Sequence, residues 1–147
     1  MTGRVRTLIE KQTVARVNPD SSVRDAVSMM ADRNIGAVAV TEGDSLVGIF
    51  TERDLMVRVV NAGLDPETTR VEAVMTRNII SIGPDDNFDD CVITMKIKGF
   101  RHMPVLEDGK LIGMLSFRDL LQADLDLIRD RVEVLSRLVK LDPIYDA

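Results

Sequence analysis

Cysteine and histidine occur once each in this chain, as Cys91 and His102, tryptophan does not occur, and there are five prolines. A single cysteine cannot close an internal disulfide, and one cysteine with one histidine leaves a structural zinc site short of ligands. Aromatic residues make up only 3% of the chain, Phe50, Phe88, Phe100, Phe117 and Tyr145, and the formal net charge is -5. Few stacking rings and a net negative charge argue against nucleic acid as a partner, while a local basic pocket remains able to hold one small anion. Long apolar runs are also missing: none approaches the ~20 residues that span a bilayer, and the start MTGRVRTLIEKQ is charged where a signal peptide is greasy. A soluble, cytoplasmic protein is expected. What is present is ordinary globular material, 147 residues with 45% hydrophobic and 29% charged, enough chain to bury roughly 70% of its unfolded surface.

The chain repeats itself. Sliding it by 65 residues lays Val17 to Met56 on Ile82 to Leu121 without a gap, with 12 of 40 pairs identical. Pro19/Pro84, Asp20/Asp85, Asp25/Asp90, Met30/Met95, Gly48/Gly113, Arg53/Arg118, Asp54/Asp119 and Leu55/Leu120 are among them, and Val47/Ile112 and Thr51/Ser116 exchange like for like. Two copies of one supersecondary unit, each too small to be stable alone, are expected to fold against each other.

The periodicity changes at matching places in both copies. Val23, Ala26, Val27 and Met30 recur at helical spacing behind Ser22, as Phe88, Cys91, Val92 and Met95 do behind Asn87, which predicts two capped amphipathic helices. The runs at 37–40 and 102–106 are followed by Glu42-Gly43-Asp44 and Glu107-Asp108-Gly109, then by 46–50 and 111–115, the pattern of a hairpin. TERDLMVRVV and SFRDLLQADL then open with a hydroxyl residue three before an aspartate and stay apolar at helical spacing, predicting a second helix. The fold class is α/β (α+β): two pseudo-twofold-related repeats, each β-α-β-β-α, with an extra C-terminal helix.

A short apolar-spaced turn precedes each unit, Val5-Leu8-Ile9 and Val71-Val74-Met75. The expected organisation is repeat one over 5–62, a linker over 63–70, repeat two over 71–123 and a C-terminal helix over 124–141. Towards this end of the chain, from about Arg118 to Leu141, Leu121, Leu125, Ile128, Val132, Leu135 and Val139 alternate spacings of four and three, a coiled-coil-like stripe on a helix that Pro143 ends.

The tandem order of elements and the strings GIFTERD (48–54) and GMLSFRD (113–119) resemble the cystathionine-beta-synthase (CBS) domain family, as do MTRNIISIGPDD (75–86) and FRHMPV (100–105). The chain looks like a small stand-alone bacterial protein built from one CBS pair, a Bateman module, over about residues 5–123. The resemblance implies clefts between the two sheets that bind adenosine-containing ligands such as AMP, ATP, NAD or S-adenosylmethionine, and a role in sensing or regulation without catalysis. It also implies that Asp54 and Asp119 hold ribose hydroxyls, that Thr51 and Ser116 face phosphate, and that Arg101 and His102 lie near one cleft. Val14, Ala15, Ile79, Ile80, Met103 and Pro104 are softer candidates for the adenine pocket. The C-terminal stripe from Leu121 to Val139 predicts a homodimer assisted by that helix, the alternative being a helix folded back over its own repeats, and an unidentified regulated protein is the other expected partner.

The residue types suit that chemistry. A carboxylate accepts from two neighbouring hydroxyls at once, a helix N-terminus offers free N–H groups to an anion, and Arg53 and Arg118 add positive charge beside each motif aspartate. Plainer readings stand beside these. Thr51-x-x-Asp54 and Ser116-x-x-Asp119 are also helix-capping boxes, a role compatible with binding. Gly48 and Gly113 either let a ligand approach the backbone or mark bends. His102 either contacts phosphate or makes a structural hydrogen bond, and Cys91 fills a buried helical face. A dimerisation adaptor with vestigial clefts is the second functional reading. An enzyme has least support, because nothing resembles a triad or a metal cluster.

Overall fold

The computed structural model describes residues 3–140. In chain order the elements are α1 (Val5–Ile9), β1 (Arg16–Val17), α2 (Val23–Arg33), β2 (Ala37–Glu42), β3 (Ser45–Thr51), α3 (Glu52–Asp54) continued by a π-helical stretch (Leu55–Val60), α4 (Val71–Val74), α5 (Phe88–Lys98), β4 (His102–Glu107), β5 (Lys110–Ser116) and α6 (Phe117–Lys140). The fold class read from the sequence holds. Strands β1, β2 and β3 form one sheet in that order, β1 parallel and β3 antiparallel to β2, and β4 and β5 form a second, antiparallel pair. The opening strand expected in repeat two is reduced to one parallel bridge between Ile82 and Val105.

Local chemistry accounts for most boundaries. Ser22 and Asn87 cap α2 and α5, accepting from the backbone N–H groups of Asp25 (3.0 Å) and Asp90 (2.9 Å). Asn34 and Gly99 end the same helices in the left-handed region. The β4–β5 hairpin turns on Asp108 and Gly109, both at positive φ (50° and 77°), the two-residue turn whose twist matches its strands. The buried face of α2 is Val23, Ala26 and Met30, and that of α5 is Phe88, Cys91 and Met95. Burial, with Asp86 and Asp90 adding to it, pushes the Cys91 thiol up to about 11, so it remains a protonated packing group. The predicted end of α6 at Pro143, and Leu141, lie outside the described residues.

The two cores are closed by exchange. Val71, Val74 and Met75 from α4 and its end are buried with Val23, Val38, Val40 and Phe50 of repeat one, whereas Val5 and Ile9 of α1 are buried with Phe88, Met103, Val105 and Leu115 of repeat two. The backbone bonds repeat this swap. Val5 and Arg6 donate to the carbonyls of Asp86 (3.0 Å) and Pro84 (2.8 Å), and Val71 and Glu72 donate to those of Ser21 and Pro19 (both 2.9 Å), the matching positions 65 residues earlier. Each leading turn thus covers the other repeat's sheet, and neither core is complete without the other.

Gly48 and Gly113 serve this exchange. A Cβ at Gly48 would lie 2.5 Å from Met75 Sδ and 3.0 Å from the Thr76 carbonyl; at Gly113 it would lie 2.8 to 2.9 Å from three side-chain atoms of Ile9. The close approach is to the swapped turns, neither to a ligand nor at a bend. Ile9 is β-branched and cannot swing aside, so Gly113→Ala is expected to cost about 1–3 kcal/mol by overpacking. Gly83→Ala, whose Cβ would meet nothing closer than 3.9 Å, serves as the near-neutral control. Urea denaturation of both variants checks this, and equal midpoints would contradict it.

Candidate functional site

The two motif strings lie where β3 runs into α3 and β5 runs into α6. Asp54 N–H donates to Thr51 Oγ1 (3.2 Å), and Thr51 N–H donates back to Asp54 Oδ2 (3.0 Å), a complete reciprocal box. Asp119 N–H donates to Ser116 Oγ (3.0 Å), but the return bond from Ser116 N–H to Asp119 Oδ2 is long at 3.4 Å. Both boxes therefore act as caps, and they leave their carboxylates in different states.

Asp54 is 6% exposed and its oxygens are fully engaged. Thr76 Oγ1 donates to Oδ1 (3.0 Å) and Oδ2 (3.2 Å), Thr51 Oγ1 donates to Oδ2 (3.1 Å), and Arg58 Nε lies 3.7 Å from Oδ1. Asp119 is exposed, and the long bond from Ser116 is the one hydrogen bond its carboxylate accepts among the described residues. The cause is outside the repeat unit. Thr76, just after α4, pairs its backbone with Ile49 on β3 and so brings its hydroxyl to Asp54. At the equivalent place in repeat two, Gln12 meets Met114 on β5 through its side-chain amide, donating to the carbonyl (2.8 Å) and accepting from the N–H (2.9 Å). Gln12 is held on the strand by these two bonds, and among the described residues it makes none to Asp119.

The starts of the two motif helices are gathered in one place. Glu52 N–H donates to the Gly36 carbonyl (3.0 Å), and Phe117 N–H donates to the Arg101 carbonyl (2.8 Å), again a pair related by the repeat. His102 stands opposite Ser116 across the β4–β5 ladder. A Cβ at Gly36 would lie 3.1 Å from Glu52 Oε1 and 3.2 Å from His102 Cε1, so the missing side chain at 36 is what lets Glu52 and His102 share this corner. Burial lowers the His102 pKa from its ordinary 6.5, Arg101 lowers it further, and the Glu52 and Asp119 carboxylates partly offset both.

This shift has a pH consequence. The unfolded chain binds a proton on His102 near 6.5, and the folded chain does so only at lower pH. The contribution to stability is present above ~6.5 and is lost as pH falls below it. Stability measured in urea should decline from pH 7 to pH 5, and His102→Gln should flatten part of that decline; an unchanged slope in the variant would count against a neutral buried imidazole.

Of the residues singled out in the sequence, the structure gathers Ser116, Asp119, Arg101 and His102 around the start of α6, with Arg118 exposed on its first turn. Thr51 and Asp54 form the second, closed arrangement, with Arg53 exposed beside it. Met103 and Pro104 are buried, the Met103 side chain wholly within the core of repeat two, and Ala15 is buried in the core of repeat one, where its carbonyl accepts from Ala39 N–H at 3.0 Å. Val14 is half-buried. Ile80 packs against the second core, and Ile79 lines an open cleft of about 380 Å³ with Leu46, Val47, Arg77, Ser81 and Leu106, near the hairpin ends of the sheets. That cleft does not include the motif residues. Thr76, Arg58 and Glu52 escaped the sequence reading. Thr76 alone carried a signal, a hydroxyl directly after a buried apolar turn.

A model of the CBS domain matches residues 5–61 and again 71–126. An uncharacterized protein of Methanopyrus kandleri is 32% identical over 118 residues, covering 79% of this chain and 60% of the relative, so the chain spans only part of that protein's length. The crystal structure of a CBS-domain containing protein from Agrobacterium tumefaciens superposes with a TM-score of 0.77 at 34% identity, covering 83% of this chain and 99% of that one. A CBS domain protein from Pyrobaculum aerophilum, solved in complex with AMP, shares the fold with a TM-score of 0.73 at 23% identity over 80% of this chain and 89% of its own. No helix among the described residues is long and apolar enough to cross a membrane.

Proposed function

Because the chain belongs to the CBS-domain family and carries a pair of these domains, whose members of this kind are regulatory, we propose that it is an adenine-nucleotide sensor without catalytic activity of its own. Asp119 is its ribose anchor. The observation that carries this reading is the exposed Asp119 carboxylate at the start of a long helix, beside the Ser116 hydroxyl and His102. Two adjacent ribose hydroxyls can bridge such a carboxylate, while the helix N-terminus, Arg101 and Arg118 offset the charge of a phosphate. Glu52 in the same corner works against a long phosphate chain, which ranks AMP or NAD above ATP. The AMP bound to the Pyrobaculum protein supports the ligand class. The sensor is proposed to act in the cytoplasm as a homodimer on a regulated protein.

A ligand that binds only the folded state stabilises it by ~2.7 kcal/mol at 100 times Kd, roughly 5–11 °C in Tm for a chain of this length. A melting curve unmoved by millimolar AMP, ADP, ATP, NAD and S-adenosylmethionine, in protein shown to be ligand-free, would contradict the proposal. One observation favours a second reading, a dimerisation adaptor with unused clefts: Asp54, in the same motif, is already saturated by Thr76, Thr51 and Arg58. That reading predicts the unmoved curve.

A further inference from the structure

We propose that the outer half of α6 pairs with α6 of a second copy as a parallel, in-register two-stranded coiled coil. Helix α6 is anchored only at its start, where Leu120 is buried and Phe117 and Ala123 pack against the second core. From Ile128 to Val139 every residue is exposed, including Val132 (55%), Leu135 (60%) and Val139 (48%). That outer part is ~20 Å of helix at 1.5 Å per residue. A helix this short is marginal in water without a packed face, and no described residue covers this one.

The pattern names the occupant. Spacings of four and three place Leu125, Val132 and Val139 at the a positions of a heptad and Leu121, Ile128 and Leu135 at d. β-branched residues at two of the a positions with leucine at two of the d positions favour two parallel strands. The flanking charges decide the direction. In a parallel in-register pair, Asp124 at g faces Arg129 at e of the second copy, twice by symmetry, and Arg131 faces the neutral Ser136. An antiparallel pair that seats a against d about the midpoint at residue 130 sets Arg129 against Arg129 and Arg131 against Arg131. Exposed pairs of this kind select orientation more than they add affinity. Leu121 on α6 and Ile93 and Ile97 on α5 are exposed as well. Since α6 begins at the Ser116–Asp119 corner, parallel pairing sets both candidate sites at the base of the coil.

This inference takes the self-association proposed above and gives it a direction and a register; it does not depend on nucleotide binding. Its test uses the full chain without nucleotide. Val139→Cys puts a thiol on the seam at an a position, and Asp130→Cys puts one on the outer f position, while the native Cys91 is buried (1% exposed). Sedimentation of the wild type is expected to show a dimer, and under mild oxidation Val139→Cys should form a covalent dimer at least tenfold faster than Asp130→Cys. Asp124→Arg or Arg129→Asp alone should weaken the dimer, and mixing the two variants should restore it, since each then supplies the other's missing opposite charge. A monomeric wild type would overturn self-association and the coil together. A dimer in which Val139→Cys links no faster than Asp130→Cys, or in which mixing restores nothing, would overturn the parallel coil and leave self-association through another face.

Discussion

Asp119→Ala is expected to weaken adenine-nucleotide binding by roughly 10- to 150-fold, with little loss of stability. The carboxylate is proposed to accept from two ribose hydroxyls, and hydrogen bonds to a charged group contribute about 1.5–3 kcal/mol, which sets that range at 1.4 kcal/mol per factor of ten. In the free protein the Asp119 carboxylate accepts only the long bond from Ser116 N–H among the described residues, so truncation removes little from the fold. The cap itself survives, because Ser116 Oγ accepts from the backbone N–H at 119 and not from its side chain. Calorimetric titration with AMP checks the affinity, and a variant that binds as wild type does would reduce Asp119 to part of a helix cap.

Asp54→Ala should do the opposite, lowering stability by about 2–4 kcal/mol with little effect on ligand affinity. Its carboxylate is buried and accepts from Thr76 Oγ1, Thr51 Oγ1 and Thr51 N–H. Its loss leaves those donors short of partners and breaks half of the capping box, each a cost of order 1–2 kcal/mol. In a chain of 147 residues this corresponds to a Tm drop of roughly 5–15 °C. Arg58 is half exposed and can rehydrate, so its ion pair adds little to the loss. Thr76→Val separates the two roles. It removes the donor that occupies both oxygens of Asp54, costs about 1.5–3 kcal/mol, and is expected to expose a second, weaker nucleotide site. Differential scanning calorimetry reads the stability and titration reads the new site; an Asp54→Ala protein that melts like wild type would show that the observed bonds contribute nothing.

The difference between these two aspartates marks where sequence reading reached and where it stopped. The caps at Ser22 and Asn87, the hairpin turns and the strand-to-helix boxes were legible because each bond joins groups three residues apart. The buried faces of α2 and α5 followed from helical spacing, and the unpaired stripe of α6 from its alternation of four and three. The exchange of α1 and α4 was not legible. The two leading turns resemble each other, so self-comparison finds them without saying which sheet each covers. The closure of Asp54 escaped for a related reason. GIFTERD and GMLSFRD look equivalent, and the residue that makes them unlike, Thr76, lies 22 residues from Asp54 in a segment whose counterpart, Gln12, does a different job. The missing opening strand of repeat two is a smaller case, since Ile82 keeps its place beside β4 through bonds to the backbone of Pro104 (3.0 Å) and Leu106 (2.9 Å) without extending into a ladder.

Taken together, the open Asp119 and the closed Asp54 make a claim about number as well as place: one strong adenine-nucleotide site per chain, at the start of α6. Isothermal titration of ligand-free wild-type protein with AMP, repeated on Asp119→Ala and Asp54→Ala, measures this directly. A stoichiometry of one per chain is expected in the wild type, retained in Asp54→Ala and lost or strongly weakened in Asp119→Ala. Two equal sites in the wild type, or a single site abolished by Asp54→Ala and untouched by Asp119→Ala, would contradict it.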